Sequence, residues 1–295
     1  REWCDFLKEH NFLVGVSIDG PQSIHDGNRL DKGGRPTFGR VMQAIELMRR
    51  TGVEFNTMST INRLSEGRGR EVYLFLKSIG SRFMQFMPVV EYTCRETPGS
   101  RPHIVPPHTP GSTLGEWSVS PRAFGDFMCD IFDEWIVNDV GRCYVQLFDV
   151  ALAQWYGVRP ALCAFCDTCG DSLVVEHNGD IYSCDHFVYP EYRLGNLADT
   201  TLLEAFASRR QADFGAAKHN RLPDECIKCR YYFACRGECP KHRFDRTAAG
   251  EEHLNALCEG YKAFFRHAEP YMRYMADLLR AKQPPARVML WARQR

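Results

Sequence analysis

The sequence predicts an α/β fold: strand–helix units carrying a parallel sheet, then a cysteine-rich region with a β-hairpin and a C-terminal helix. Three observations predict it. Short apolar runs alternate with amphipathic stretches over residues 12–90. The pair Asn178-Gly179 stands between two β-rich runs. Nine of the 13 cysteines fall between Cys163 and Cys258.

The elements follow in order. "FLVGVSID" is a short apolar run of the kind a buried parallel strand requires. "TFGRVMQAIELMRRTG" is an amphipathic helix with Val41, Ile45 and Met48 at helical spacing and Gly52 at its stop. "VEFNTMSTI" is the next strand, "GREVYLFLKSIG" the next helix and "RFMQFMPVV" a third strand. Strands alternating with helices imply right-handed crossovers and a parallel sheet, whose chemistry gathers at the carboxyl ends of the strands. Residues 93–118, rich in Pro, Gly, Ser and Thr, read as a long surface excursion. "PRAFGDFMCDIFDEWIVNDVG" is helical again, and "RCYVQLFDVALAQWYG" is a last strand running into a helix. About three and a half strand–helix units are too few to close a barrel. Beyond residue 160 the pattern changes to cysteines, short strands and turns. "LVVEHNGDIYSC" is the hairpin, "YKAFFRHAEPYMRYMADLL" an amphipathic helix, and the last dozen residues are expected to fray.

Composition narrows the function. With 37 basic and 37 acidic residues in 295, there is no electrostatic case for nucleic acid or an anionic membrane as partner. No apolar run approaches the roughly 20 residues of a membrane helix. "REWCDFLKEH" lacks the apolar segment of a signal peptide and opens in mid-element without Met, so the chain is expected to be a fragment lacking its N-terminus. A chain this large, without an export signal, does not need a disulfide scaffold. Metal ligation leads.

The densest stretch is "CIKCRYYFACRGECP", with Cys226, Cys229, Cys235 and Cys239 separated by two, five and three residues. With Cys163, Cys169, Cys184 and Cys258 these make eight, or two sets of four. No histidine recurs at ligand spacing among them. All-thiolate sets of four suit zinc or iron–sulfur clusters, and spacing alone leaves both open.

"CAFCDTCGDSLVVEHNGDIYSCDHFVYPEYRLGN" and "CIKCRYYFACRGECPKHRF…LCEGY" resemble the anaerobic sulfatase-maturating enzymes, which are radical S-adenosylmethionine (SAM) proteins with a C-terminal SPASM domain. Upstream, "GVSIDGPQSIHDGNR" and "VEFNTMSTIN" resemble the second half of that family's barrel. The resemblance implies a partial parallel (β/α) radical SAM barrel over residues 1–160. It implies a SPASM domain with two auxiliary [4Fe–4S] clusters over 161–262, and a C-terminal helix and tail over 263–295. One cluster would take Cys163, Cys169, Cys184 and Cys239, the other Cys226, Cys229, Cys235 and Cys258. Cys166 would remain a free thiol beside them, while Cys4, Cys94, Cys129 and Cys143 read as small buried hydrophobes.

The activity implied is oxidation of a sulfatase cysteine or serine to Cα-formylglycine. Asp185, directly after Cys184, matches the position of the base. Ser17 and Arg29 would contact SAM, with Asp19 at the end of the same strand. Without the resemblance, Asp185 reads as a turn carboxylate and Arg29 as a solvated loop charge. Gln146 falls in a strand that lines the substrate cavity in related enzymes. His177 and His186 flank the hairpin as structural hydrogen-bonders. The implied partners are an unfolded or nascent sulfatase peptide and an electron donor such as flavodoxin or ferredoxin, in the cytoplasm. The family's CxxxCxxC loop for SAM and a third [4Fe–4S] cluster does not occur here. "CRGECPKH" imitates it with His242 in third place, but its cysteines are already assigned. Two other readings stand beside this one: a SPASM-type maturase of another peptide, and a zinc-ribbon-like binding module.

Overall fold

Alternation of β-rich runs with helical periodicity produces a parallel sheet in the first part of the chain. A computed structural model describes residues 1–95, 97, 99–105 and 109–294. In it α1 (Glu2–Glu9) leads into β1 (Leu13–Ser17), α2 (Gln22–Asn28), α3 (Phe38–Thr51), β2 (Glu54–Ile61), α4 (Gly69–Ser78) and β3 (Phe83–Pro88). Next come β4 (Tyr92–Cys94), β5 (His103–Ile104), β6 (Thr113–Leu114), α5 (Pro121–Asn138), β7 (Tyr144–Val145) and α6 (Gln146–Tyr156). The cysteine-rich stretch holds β8 (Val174–Val175), β9 (Asp180–Tyr182), β10 (Arg193–Asn196), α7 (Leu202–Ala207), α8 (Arg209–Asn220), α9 (Asp224–Ile227) and α10 (Tyr232–Cys235). They are followed by α11 (Cys258–Arg280) and α12 (Val288–Ala292). The elements form two compact units, one of residues 1–90, 116–157 and 259–295, the other of 91–115 and 158–258.

In the first unit β1, β2, β3 and β7 pair in that order, all parallel, as an open sheet. One face is buried through Thr57, Ser59, Ile61, Met84 and Val145. The opposite face leaves Leu13, Phe83, Met87 and Tyr144 exposed, with the Phe83 and Tyr144 rings stacked at 4.8 Å. Helix α3 ends where Gly52 turns left-handed at φ 71°, as its sequence predicts. Helices α5 and α11 approach closely because two glycines face each other. A Cβ on Gly260 would lie 2.2 Å from the Pro121 carbonyl, and one on Gly125 would lie 2.6 Å from the Gly260 carbonyl. Phe132, Phe148 and Phe264 fill the space beside this crossing, each fully buried.

In the second unit β8 and β9 form the hairpin, with Gly179 at φ 87°, and β10 adds to β9. A second small sheet joins β5, β4 and β6, and the Tyr92 ring packs on Phe244 at 3.8 Å. The apolar core is small, centred on Phe165, Ile181, Phe187, Tyr231 and Leu257.

Four expectations are corrected. Residues 93–118 are not a plain excursion, because their described part pairs into β4, β5 and β6. The described part of the last dozen residues does not fray: Val288 is buried and Trp291 packs on Tyr271 and Tyr274. Gln146 is the first residue of α6 and not part of a strand, since β7 pairs only over Tyr144 and Val145. Between the hairpin and Cys226 the chain is helical, with α7 opened by a capping box of Thr201 and Glu204.

Candidate functional site

Helix α8 gathers the first cysteine set from one face. Gln211, Gly215 and Lys218 lie four and three residues apart, which places them in a single stripe. The Gln211 amide donates to the Gly170 carbonyl at 2.7 Å and the Ser183 carbonyl at 3.1 Å, tying the neighbours of Cys169 and Cys184 together. Gly215 accepts from the Cys169 amide and lies so close that a Cβ there would meet the Cys169 carbonyl at 2.4 Å. Lys218, 1 % exposed, donates to the carbonyls of Cys163 and Ala164 at 2.5 and 2.8 Å. Cys239, the fourth cysteine expected here, comes near from far along the chain: His186 Nδ1 lies 3.4 Å from its Sγ, across 53 residues.

The second set is built on α9, α10 and the turn after them. The Cys229 amide donates to the Cys226 carbonyl at 3.1 Å. Arg236, Gly237 and Glu238 are all left-handed, at φ 50°, 72° and 52°, which reverses the chain between Cys235 and Cys239. Successive residues of this kind turn their amides inward and form concavities that suit anions. Arg243 fastens the turn by donating to the carbonyls of Arg236, Gly237 and Glu238, and to that of Lys218.

All 13 cysteines are free thiols. Burial, first, pushes the set members up: Cys184 to about 12 and Cys226 to about 11, with Cys163, Cys169, Cys235 and Cys239 also raised. Neighbouring thiolates add to it. Cys169 feels Cys163, Cys184 feels Cys169, and Cys239 feels Cys184. Cys226 feels Cys258 and Cys229, and Cys235 feels Cys258 and Cys226. Backbone amides of Ala164, His186, Gly237 and Lys241 point at the sulfurs of Cys163, Cys184, Cys235 and Cys239, and the Tyr231 amide at Cys229. Amides aimed at sulfur and buried cations beside it are what anionic thiolate clusters need. The residues present therefore fit an iron–sulfur cluster. Among the described residues, no three Cys, His, Asp or Glu side chains converge on one point as they would around a single metal ion.

The other candidates have these surroundings. The Cys184 thiol donates to the exposed Asp185 carboxylate at 3.2 Å, and the same carboxylate charge reaches Cys163. Cys166 is buried with its thiol turned to the carbonyls of Pro160 and Leu162. His242 is held by Glu238 at 2.9 Å. In the first unit Asp19 is 1 % exposed and pairs bidentately with Arg29 at 2.7 and 3.0 Å, while accepting the Thr60 amide at 2.8 Å. Arg29 is thus the cap of α2 and not a solvated loop charge. Ser17 is exposed on the open face of the sheet, in register with Met58 of β2. On that face Asn56, paired with Gly15, carries a buried Oδ1 with no hydrogen-bond partner.

The comparisons bear on both units. The SPASM family, described as an iron–sulfur cluster-binding domain, matches residues 163–230. A serine-type anaerobic sulfatase-maturating enzyme of Bacteroides thetaiotaomicron is 47% identical over 98% of this chain and 69% of its own length. The chain belongs to the anaerobic sulfatase-maturating enzymes. A cysteine-type member from Clostridium perfringens is 30% identical over 94% of this chain and 71% of its own length. The solved structure of native anSMEcpe with bound AdoMet and Cp18Cys peptide superposes with a TM-score of 0.80 at 30% identity, covering 94% of this chain and 73% of that one. This sulfatase maturase is accordingly a radical SAM oxidoreductase of the family that makes formylglycine from cysteine or serine, and the zinc-ribbon and other-peptide readings fall away. No helix among the described residues is long and apolar enough to cross a membrane.

Sequence reasoning missed Gln211, Gly215, Lys218 and Arg243. The signal of the first three was present but not apolar: one helical stripe of polar and small residues, behind a Ser208 N-cap. Arg243, after the turn Pro240–His242, carries no local signal.

Proposed function

We propose that the eight cysteines hold two auxiliary [4Fe–4S] clusters in interleaved sets, Cys163, Cys169, Cys184 and Cys239 against Cys226, Cys229, Cys235 and Cys258. The observation that carries this reading is the junction of His186 with Cys239, which joins the Cys184 turn to the end of the later cysteine run. In this reading the chain comprises a half barrel over residues 1–160, the SPASM domain over 161–262 and a tail over 263–295. The substrate is an unfolded or nascent sulfatase peptide, a reading supported by the peptide bound in the solved relative. An electron carrier such as flavodoxin or ferredoxin, in the cytoplasm, exchanges electrons with the protein.

When bound, SAM with a cluster of its own would supply hydrogen-atom abstraction at the target Cβ, and auxiliary clusters held by the eight cysteines would supply an acceptor for the electron. The chain's own residues do the rest. Asp185, exposed and acceptor-only when ionised, takes the proton from the target thiol or hydroxyl as the double bond to Cβ forms. Ser17 offers its hydroxyl to SAM from the open sheet face. Asp19 and Arg29 act as one unit, Asp19 holding the guanidinium so that its free N–H edge meets the SAM carboxylate.

The test is cluster accounting. Cys184→Ala and Cys239→Ala should each deplete the same cluster, removing about half of the auxiliary iron if two four-iron clusters are present. Mössbauer spectra of anaerobically reconstituted protein would show it. Depletion by Cys239→Ala of the cluster that Cys226→Ala also removes would overturn the interleaving.

A further inference from the structure

Two cations lie buried in the second unit without a carboxylate partner. Lys218 is 1 % exposed and Arg243 is 2 % exposed. Among the described residues neither forms an ion pair, and every hydrogen bond they donate goes to a backbone carbonyl. The nearest buried carboxylate, Glu238, is already engaged by His242 and Asn255. A buried charge left with carbonyl dipoles alone costs several kcal/mol, so something anionic must face it. The Glu238 carboxylate acts on both through space, and on Arg243 ahead of any sulfur; the other anionic groups that face them are sulfurs. The Lys218 charge reaches Cys163, Cys169 and Cys239, and the Arg243 charge reaches Cys169, Cys226, Cys235 and Cys239.

Resting on the cluster reading above, we infer that Lys218 and Arg243 are built-in counter-charges that set the reduction potentials of the auxiliary clusters. Lys218 acts on the set containing Cys163, Cys169 and Cys239, and Arg243 acts between the sets. A four-thiolate cubane is anionic and becomes more so when it accepts an electron, so a fixed positive charge beside it favours the reduced state. That makes the cluster a better acceptor for the electron released from the substrate. Carbonyl satisfaction alone would not require Lys218, since a neutral donor could serve those two oxygens. The ammonium adds charge, and the charge is what the potential senses. Both are positioning residues, because they touch the ligand loops and not the substrate.

The experiment is an EPR-monitored redox titration of the anaerobically purified holoenzyme, with iron and acid-labile sulfide measured on the same samples. Lys218→Met should move one auxiliary cluster to a more negative potential by at least tenfold in its reduced-to-oxidised ratio, which is 59 mV for a one-electron couple, with the other cluster moving less. Lys218→Arg, which keeps the charge, should stay within that span of the wild type. Unchanged potentials in an iron-replete Lys218→Met protein would overturn the inference. If Lys218→Met loses iron, two further variants decide. Iron kept in Lys218→Arg and lost in Lys218→Gln supports the counter-charge, as does an iron-replete Lys218→Gln with a lowered potential. Iron lost in both, or an iron-replete Lys218→Gln at the wild-type potential, overturns it. A wild-type holoenzyme without two auxiliary clusters would strike the cluster reading itself, a result visible before any variant is made.

Discussion

Asp185 shows how one residue's role depends on what stands beside it. By sequence it is a turn carboxylate. In the fold it opens a single 3-10 turn, exposed, with its carboxylate on the Cys184 thiol. Asp185→Asn keeps the shape and removes the proposed base. Turnover to formylglycine should fall by about 10²–10⁴-fold, while binding of SAM and peptide stays close to wild type. Mass spectrometry of the peptide and equilibrium binding separate the two, and an undiminished aldehyde yield would return Asp185 to a structural role. Arg29 illustrates the reverse limit. Nothing in "HDGNRLDKGG" announces that its guanidinium grips Asp19, because the partner lies ten residues back on a different element.

At the scale of elements, α8 was the least legible part of the site and the most consequential. Sequence periodicity finds helices by their apolar stripe. The buried stripe of α8 is Gln211, Gly215 and Lys218, which hydropathy does not mark. Its glycine is required by distance, not by backbone freedom, since any Cβ would strike the Cys169 carbonyl. Gly215→Ala should therefore displace the Cys169 loop and lower the auxiliary iron content by up to about half, at a cost of about 1–3 kcal/mol in stability. Iron analysis and thermal melting of the anaerobic protein check both, and full iron with an unchanged melting curve would contradict it. The hairpin and α3 were legible for the opposite reason. Asn178-Gly179 and Gly52 sit at left-handed turns that glycine adopts without strain, so the local sequence names them directly.

For the whole molecule, the two units differ in what can hold them together. The first has a parallel sheet and an aromatic core in which Phe124, Phe127, Phe132, Phe148 and Phe264 are almost fully buried. The second has short strands, short helices and a small core among its ten cysteines. Cluster binding is then a large part of its folding free energy. Removing iron with a chelator under anaerobic conditions should raise hydrogen exchange across residues 158–258 while β1, β2 and β3 keep their protection. Equal loss of protection in both units would show that the clusters are not the local staple.

The sequence by itself determined the residue types and the local elements: eight thiols at specific spacings, four strands of parallel character and one hairpin. These follow from side-chain chemistry and from interactions within a few residues. How the eight cysteines divide was not in the spacing, because four share one local run and the other four lie far from it in sequence, and only the resemblance to a family supplied an expectation. Tertiary structure decided that His186 meets Cys239, that α8 reaches Cys163 and Cys169, and that two cations are buried with their hydrogen bonds on backbone carbonyls. The physical reason is range. A charge or a thiolate acts through space on whatever the fold brings near, and that neighbour is set by chain topology rather than by adjacent residues.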